Sequence, residues 1–417
     1  LLATQRRRSV PQAPMTFAPW RRLLLLFFML LDPGASRESC DEPWKLSDAD
    51  FLSCNPLCRL PLQPRDACYI YPHDMMPGGI GAKITSVIQY VFFAVESGCT
   101  YLHRRLEGVG HRADAARVES YFNIGEQCVE AADFLKNVSL KRVLLDAKEA
   151  RAGAVGKPFP PQCAHAKGVL CEVPRASGLQ IVSKRSEEMA QRILRARFYK
   201  RARQDPDKAV TWFHPAGNDR FWSPLRPSRT SVVNVVIHVR RGDVNEGTGH
   251  GRYTSTEDVE KVLKHLCMAL QTVNRSQGSS YHASIHIASD GTEADFPGAI
   301  WSALVGEKCP TESSLQFQFD SALKTFSHFV AADVLLYGVS SFPKLAALIY
   351  HEGVSRAYAK YERRKSRTTS RGEPVAIIHN PVVIEELFGM DFLEELVRYL
   401  QARSMRERQS QGSFGDA

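Results

Sequence analysis

Val232-Val-Asn-Val-Val-Ile-His-Val-Arg-Arg-Gly-Asp243 places six apolar residues in its first eight positions, then two arginines, a glycine and an aspartate. A short apolar run closed by turn residues reads as a buried strand. In an open parallel sheet, ligands collect beyond the carboxyl ends of the strands, so the two cations stand where a ligand crevice would be. Side chains alternate along an extended chain, and Arg240 and Arg241 are expected to diverge. One guanidinium can then grip a phosphate with its bidentate fork, while the other locks the loop through Asp243. His238 shares the side of Arg240 and can donate to a ligand or to a neighbouring loop. The bland alternative is an Arg–Asp pair that ties down a strand end with no ligand.

Working outward, the second half alternates short apolar strands with helices. A helix is expected from about Glu257 to Val273, with Thr254 and Glu257 at capping-box spacing. Ala283–Ser289 follows as a strand and an acidic loop comes after it. Leu315–Phe319 is a strand, Ser321–Ala331 a helix, Asp333–Gly338 a strand and Ser340–Tyr350 a helix. This alternation is the signature of a parallel sheet covered on both faces. In the first half, Ala67–Pro72 reads as a strand and the loop after it carries Pro77-Gly-Gly-Ile-Gly81. Ile84, Val87, Ile88, Val91, Phe92 and Val95 then repeat with the period of a helix that has one apolar face. Gly98 ends that helix, and Thr100–His103 is the next strand. The stretch from Arg104 to Trp222 is less periodic, with a helix around Glu187–Arg201 and a proline-rich link at Ser223–Thr230. The expected fold class is therefore α/β, with residues 37–230 and 231–404 as two domains.

The glycines of Pro77–Gly81 lie between a strand and a helix. Gly79 and Gly81 let backbone approach a bulky ligand there, and a helix start offers free N–H groups to an anion. Neither the Walker spacing nor G-x-G-x-x-G is present. Ser340 and Ser341 stand at another strand-to-helix junction and can hold a phosphate or a ribose, although a serine N-cap accounts for one of them. Asp333 can bond a nucleobase or ribose, or orient the preceding helix. No D-x-D element falls in a strand-end loop, and Cys54 and Cys58 lack partners at zinc spacing, so no metal is expected.

The chain has 417 residues, of which 44% are hydrophobic, enough for two packed domains. Its net charge of +9 comes from basic residues that are scattered and partly concentrated in the leader, which hardly argues for nucleic acid, so no nucleic-acid partner is expected and anionic small molecules stay open. Arg21 and Arg22 precede the apolar run Leu23–Leu31, so residues 1–36 read as a secretory signal, with a short membrane anchor as the lesser reading and Met15 as a possible start. Eight of the ten cysteines precede residue 172, which fits disulfides formed in an oxidising compartment. Asn137 and Asn274 open glycosylation sequons. The lumen of the ER or Golgi is the expected location, with secretion as a variant. Membrane contact is expected only through an uncleaved leader. Residues 405–417 read as a loose tail.

Gly-Gly-Ile-Gly, His238-Val-Arg240-Arg241-Gly-Asp243, Ser289-Asp-Gly running to Asp295-Phe296, Ala332-Asp333-Val-Leu and Ser340-Ser341-Phe342 occur in an order that resembles the GDP-fucose-dependent fucosyltransferases. The resemblance is to the α1,2-, α1,6- and protein O-fucosyltransferase superfamily and spans roughly Ala67 to Tyr350. It implies a GT-B arrangement of two Rossmann-like domains, with GDP-fucose held mainly by the second and a glycan or glycoprotein acceptor in the cleft. On that resemblance Arg240 binds the donor β-phosphate and Arg241 assists, while His238 and Asp243 shape the site. Asp333, Ser340 and Ser341 contact the nucleotide, and Gly79 and Gly81 close over it. The SH3-like module and coiled-coil stem of the α1,6 enzymes are not evident, which argues against core N-glycan transfer. The reaction expected is inverting and metal-free, with GDP-fucose as substrate rather than cofactor. Glu246, with Asp243 behind it, is the candidate proton acceptor. Two rival readings stay open: a non-catalytic lumenal protein that binds a nucleotide sugar or glycan, and a transferase that uses a different nucleotide sugar.

Overall fold

In a computed structural model of the chain, the described residues are 67–75, 78–110, 114–125, 128, 130–146, 160, 162–163, 166–174, 192, 194, 197–198, 210–212, 220–222, 231–241, 253–278, 280–318, 321–338, 340–349, 354–357, 394 and 396–401. The expected leader, the link at 223–230 and the tail at 405–417 lie outside them. So does most of the helix expected around 187–201, of which Arg192, Leu194, Arg197 and Phe198 are helical.

The strands form two all-parallel sheets. The first has the order β2-β1-β4-β3, built from β1 (Cys68–Pro72), β2 (Thr100–Tyr101), β3 (Lys141–Leu144) and β4 (Val169–Val173). Helix α1 (Ile80–Ser97) connects β1 to β2, and α2 (Ala115–Phe122) and α3 (Ala131–Asn137) precede β3. A small antiparallel pair, β5 (Val210–Trp212) and β6 (Arg220–Trp222), stands apart. The second sheet has the order β11-β10-β7-β8-β9. Its elements in chain order are β7 (Val232–His238), α4 (Thr256–Gln277), β8 (His282–Ala288), α5 (Gly298–Lys308), β9 (Ser314–Gln318), α6 (Ala322–Ala331), β10 (Val334–Tyr337), α7 (Ser341–Ile349) and β11 (Val354–Ala357). This is the α/β architecture the alternation predicts. All the described residues fall within one compact unit, Asn55–Ala417.

The opening stretch is the central strand. Val233, Val235, Ile237 and Val239 pack with Val259, Leu263 and Leu266 of α4 and with Trp301 of α5 in the main core. The other face of the same strand carries Asn234 and His238, and its neighbour β8 carries Ser284 and His286 in register with it, all buried. One face is thus wholly apolar, while the other, where Val232 and Val236 stand with Asn234 and His238, is a buried mixed layer.

Two expectations need correction. The cap of α4 is Ser255, whose Oγ accepts the Asp258 amide at 3.1 Å, one residue beyond the Thr254–Glu257 spacing. Helix α1 is not an amphipathic surface helix. Ile84, Val87 and Val91 are buried, and so are Ser86, Gln89, Tyr90 and Phe93, because α1 is covered by β1 and β2 on one side and by α7 on another.

Disulfides join Cys68 to Cys99, Cys163 to Cys171 and Cys267 to Cys309, and Cys128 is also disulfide-bonded. The first ties β1 to the end of α1. The third ties α4 to the end of α5. No described helix is long and apolar enough to cross a membrane.

Candidate functional site

The strand order of the second sheet reverses between β7 and β10. From β7 the chain passes through α4 to β8 on one side, and from β10 it passes through α7 to β11 on the other. The crevice outside the carboxyl ends of two such strands is where open α/β sheets bind ligands. His238 is the last residue of β7 and pairs with Tyr337, the last of β10. Arg240 follows two residues later and is half-buried.

The ring of His238 is buried edge-on against Phe329 of α6, with centroids 5.5 Å apart. Burial, and then the nearby Arg240 cation, push its pKa down to about 3. The imidazole is therefore neutral at any physiological pH. It can hydrogen-bond but adds no positive charge for a phosphate.

Arg241 turns the other way, as alternation requires. Its amide donates to Asp290 Oδ1 at 3.1 Å, and its Nη1 donates to the Thr254 carbonyl. The guanidinium lies 4.2 Å from the ring centroid of Tyr253 and 5.7 Å from that of Phe296. Its Nη2 is buried and has no hydrogen-bond partner among the described residues. Gly291 makes this packing possible, since a β-carbon there would stand 2.7 Å from Arg241 Cβ and 2.9 Å from Asp295 Oδ2. Asp295 in turn accepts from the Thr292 amide at 2.7 Å and from its hydroxyl at 3.0 Å, and these bonds hold its pKa below the usual carboxylate value. Arg241 thus fastens three loop segments together behind the strand end. Asp290, Tyr253 and Phe296 do this with it, and their roles were not evident from the sequence. Asp243 and Glu246 lie outside the described residues.

The glycine loop reaches the same crevice. Gly78 has φ +143° and its carbonyl accepts the Gly110 amide at 3.1 Å, which pins the loop to the segment after β2. The Gly79 carbonyl accepts the Lys83 amide at 3.2 Å, opening α1. Gly81 lies against the start of α7, where a β-carbon would be 2.5 Å from both the Ser341 carbonyl carbon and the Phe342 nitrogen. The first turns of α1 and α7 therefore abut beside the reversal point of the second sheet. The Ser340 hydroxyl accepts the Phe342 amide at 3.4 Å and acts as the cap, while Ser341 is exposed.

Asp333 is not brought to this place. It stands at the amino end of β10, where its Oδ2 accepts the Asn234 amide at 2.8 Å and its Oδ1 accepts the Tyr399 hydroxyl at 2.6 Å. Its own amide donates to the Asn234 carbonyl at 2.8 Å. The carboxylate ties β7, β10 and the helical segment 396–401 at the end of the sheet opposite the arginines. The two sequons also differ. Asn137 ends α3 and is exposed, whereas both amide atoms of Asn274 clamp Tyr281, donating to its carbonyl at 2.7 Å and accepting its amide at 2.9 Å.

The crevice therefore has Arg240 just past the strand end, the neutral His238 buried behind it and the exposed Ser341 at the start of α7. Among the described residues, no group of three His, Cys, Asp or Glu side chains is placed to hold a metal ion.

No family model and no curated relative matches the chain. Solved structures do. POFUT1 in complex with GDP-fucose is 11% identical with a TM-score of 0.40, the match covering 71% of this chain and 99% of that one. Fucosyltransferase NodZ from Bradyrhizobium is 12% identical with a TM-score of 0.37, covering 68% and 94%. A mutant of Arabidopsis thaliana FUT1 in complex with GDP is 9% identical with a TM-score of 0.38, covering 81% and 78%. These three solved structures, to which this chain is similar at low identity, are fucosyltransferases.

Proposed function

We propose that this chain is a glycosyltransferase with a GT-B arrangement that moves fucose from GDP-fucose to a glycan or glycoprotein hydroxyl, with inversion and without a metal ion, in the lumen of the secretory pathway. The observation that carries the reading is Arg240, set at the carboxyl end of the central strand, at the reversal point of the sheet, beside two abutting helix starts. A departing diphosphate is the hard charge of such a transfer. A guanidinium and helix-start N–H groups aimed at the departing phosphate are the groups that would stabilise that charge as the bond breaks. The resemblance carried by the sequence motif H-x-R-R-x-D supports GDP-fucose as the donor, and the disulfides suit the compartment.

In this reading Arg240 holds the β-phosphate, Gly79, Gly81 and Ser341 line the nucleotide side, and His238 and Arg241 shape the pocket. Ser340 acts by capping α7, and Asp333 by holding the sheet together from its far end. Glu246 and Asp243 are the sequence's own candidates for the group that takes the acceptor proton. The test is calorimetric titration of GDP, GDP-fucose, GDP-mannose and UDP-galactose without divalent metal, followed by turnover against a glycan array. Micromolar binding that prefers guanine nucleotides, lost in Arg240→Ala, is the expected result. Binding without turnover would make the chain a nucleotide-sugar binder, and no binding by folded protein would leave Arg240 as a strand-end residue.

A further inference from the structure

In the first sheet, of order β2-β1-β4-β3, a His–Glu pair joins the carboxyl ends of the neighbouring strands β1 and β4. Glu172 lies on β4 opposite Tyr71, and His73 is the first residue after β1. His73 Nδ1 and Glu172 Oε2 are 2.9 Å apart, and Glu172 Oε1 is 3.4 Å from Arg142 Nη1. The glutamate side chain is 10% exposed and the imidazole 44%.

Glu172 holds the ring, and the backbone that carries it is fixed from several sides. The His73 amide donates to the Val173 carbonyl at 3.0 Å, extending the ladder by one residue. Arg104 donates to the His73 carbonyl, and the Tyr90 hydroxyl donates to the Asp74 carbonyl at 3.1 Å. A carboxylate only accepts, so Nδ1 is the donor of this bond, and in the neutral form of the ring Nε2 is the acceptor. A second pair shows what a structural histidine looks like here. His103 is buried and engages the Tyr101 hydroxyl at 3.3 Å and Glu119 at 3.1 Å, so both its nitrogens are used. A β-carbon at Gly125 would stand 2.6 Å from His103 Nε2. His73 differs in that its Nε2 has no bond to a described residue, and in the chain it shortly precedes the glycines that open α1.

We infer that His73, oriented by Glu172, takes the proton from the acceptor hydroxyl. This rests on the transferase reading above. The acceptor oxygen forms its bond to the anomeric carbon of fucose as the bond from that carbon to the phosphate oxygen breaks. The electron pair leaves with GDP, and the hydroxyl proton goes to His73 Nε2. Glu172 stabilises the imidazolium and stays ionised, and the proton passes to solvent after release. Of the charged groups here, Glu172 on β4 contacts the ring, Arg142 on β3 contacts Glu172, Arg104 after β2 donates to the His73 carbonyl and pairs with Glu107, Lys83 on α1 donates to the Glu107 carbonyl, and Asp74 follows His73 in the chain.

The experiment compares the wild-type full chain with His73→Gln, Glu172→Gln and Glu246→Gln. It measures the Kd for GDP, and kcat, KM and the pH profile of GDP release from GDP-fucose, with water and with array glycans as acceptors. Expected for His73→Gln is a fall in kcat of about a hundredfold or more, the scale of general-base catalysis, with the Kd for GDP within twofold and the acidic limb of the kcat profile gone. Glu172→Gln is expected to lower kcat less and to shift that limb. Retention of kcat by His73→Gln within about threefold would overturn the inference, as would loss of the acidic limb in Glu246→Gln in its place. A wild-type chain that fails to bind GDP, or binds it and never turns over, overturns the transferase reading itself and is seen before any variant is made.

Discussion

Gly81 of α1 meets Phe342 of α7 so closely that a β-carbon on Gly81 would lie 2.5 Å from the Phe342 amide nitrogen. Both partners are backbone, so neither can rotate away. Helix propensity alone would favour Gly81→Ala by roughly 1 kcal/mol. The clash should win, and the variant is expected to lose about 1–3 kcal/mol, the usual cost of overpacking, and to bind GDP more weakly because α1 and α7 are forced apart. Urea unfolding and calorimetry check this. An alanine variant as stable as wild type would show that the two helices can separate freely.

The two arginines should fail differently. Arg241 holds Thr254, Asp290, Tyr253 and Phe296, so Arg241→Lys, which keeps the charge but loses the planar fork, is expected to cost about 1–2 kcal/mol of stability. Arg240→Lys should leave the melting temperature within a degree or two and weaken GDP binding. Thermal melts of both variants decide it, and equal effects on stability would contradict the division of labour.

Three histidines make the chain acid-sensitive. Burial pushes His238 and His286 down to about 3 and His328 to about 4, with Arg240, His328 and Lys324 respectively adding to the effect. Each folded pKa lies below the unfolded value of about 6.5, so the unfolded state binds more protons in between. Stability is then full above about pH 6.5 and falls as the pH drops through that window, by up to ~1.4 kcal/mol per pH unit for each histidine. Urea unfolding between pH 7 and 5 measures the slope. His328→Gln should flatten it, and an unchanged slope would remove His328 as a cause.

The sequons are expected to part company. Asn137 is exposed and should carry a glycan on the secreted protein, while Asn274 is needed at Tyr281 and should not. Asn274→Ala gives up two hydrogen bonds and should cost about 1–3 kcal/mol, whereas Asn137→Gln should be neutral. Peptide mapping by mass spectrometry checks occupancy, and a glycan at Asn274 would mean that the clamp opens.

What the sequence shows follows from how locally each feature is encoded. The strands Val232–His238, His282–Ala288 and Val334–Tyr337 are apolar runs bounded by turn residues, and α4 and α6 keep a helical period, whereas α5 lacks one and the sequence did not show it. The strands β3 and β4 gave no such signal. Lys141–Leu144 is largely exposed, and Val169–Val173 is a short strand whose place is fixed by pairing with β1 and by the Cys163–Cys171 bridge. The same holds for the site. Arg240 and the glycine loop are contiguous motifs, whereas the Arg241 sandwich and the His73–Glu172 pair assemble across distant segments. Asp333 shows the opposite hazard. It sits beside an informative strand but at the wrong end of it, a distinction that register alone reveals.

Helix α1 has one more consequence. No described side chain along Ile80–Ser97 is exposed, and part of its cover comes from α7, which the ribosome delivers much later. During synthesis the helix must wait with that flank bare, a surface of the kind chaperones hold. The two halves are therefore expected to mature together. A lesion in α7 should be felt as misfolding of the amino-terminal half, and expression of residues 37–230 alone should yield aggregated protein.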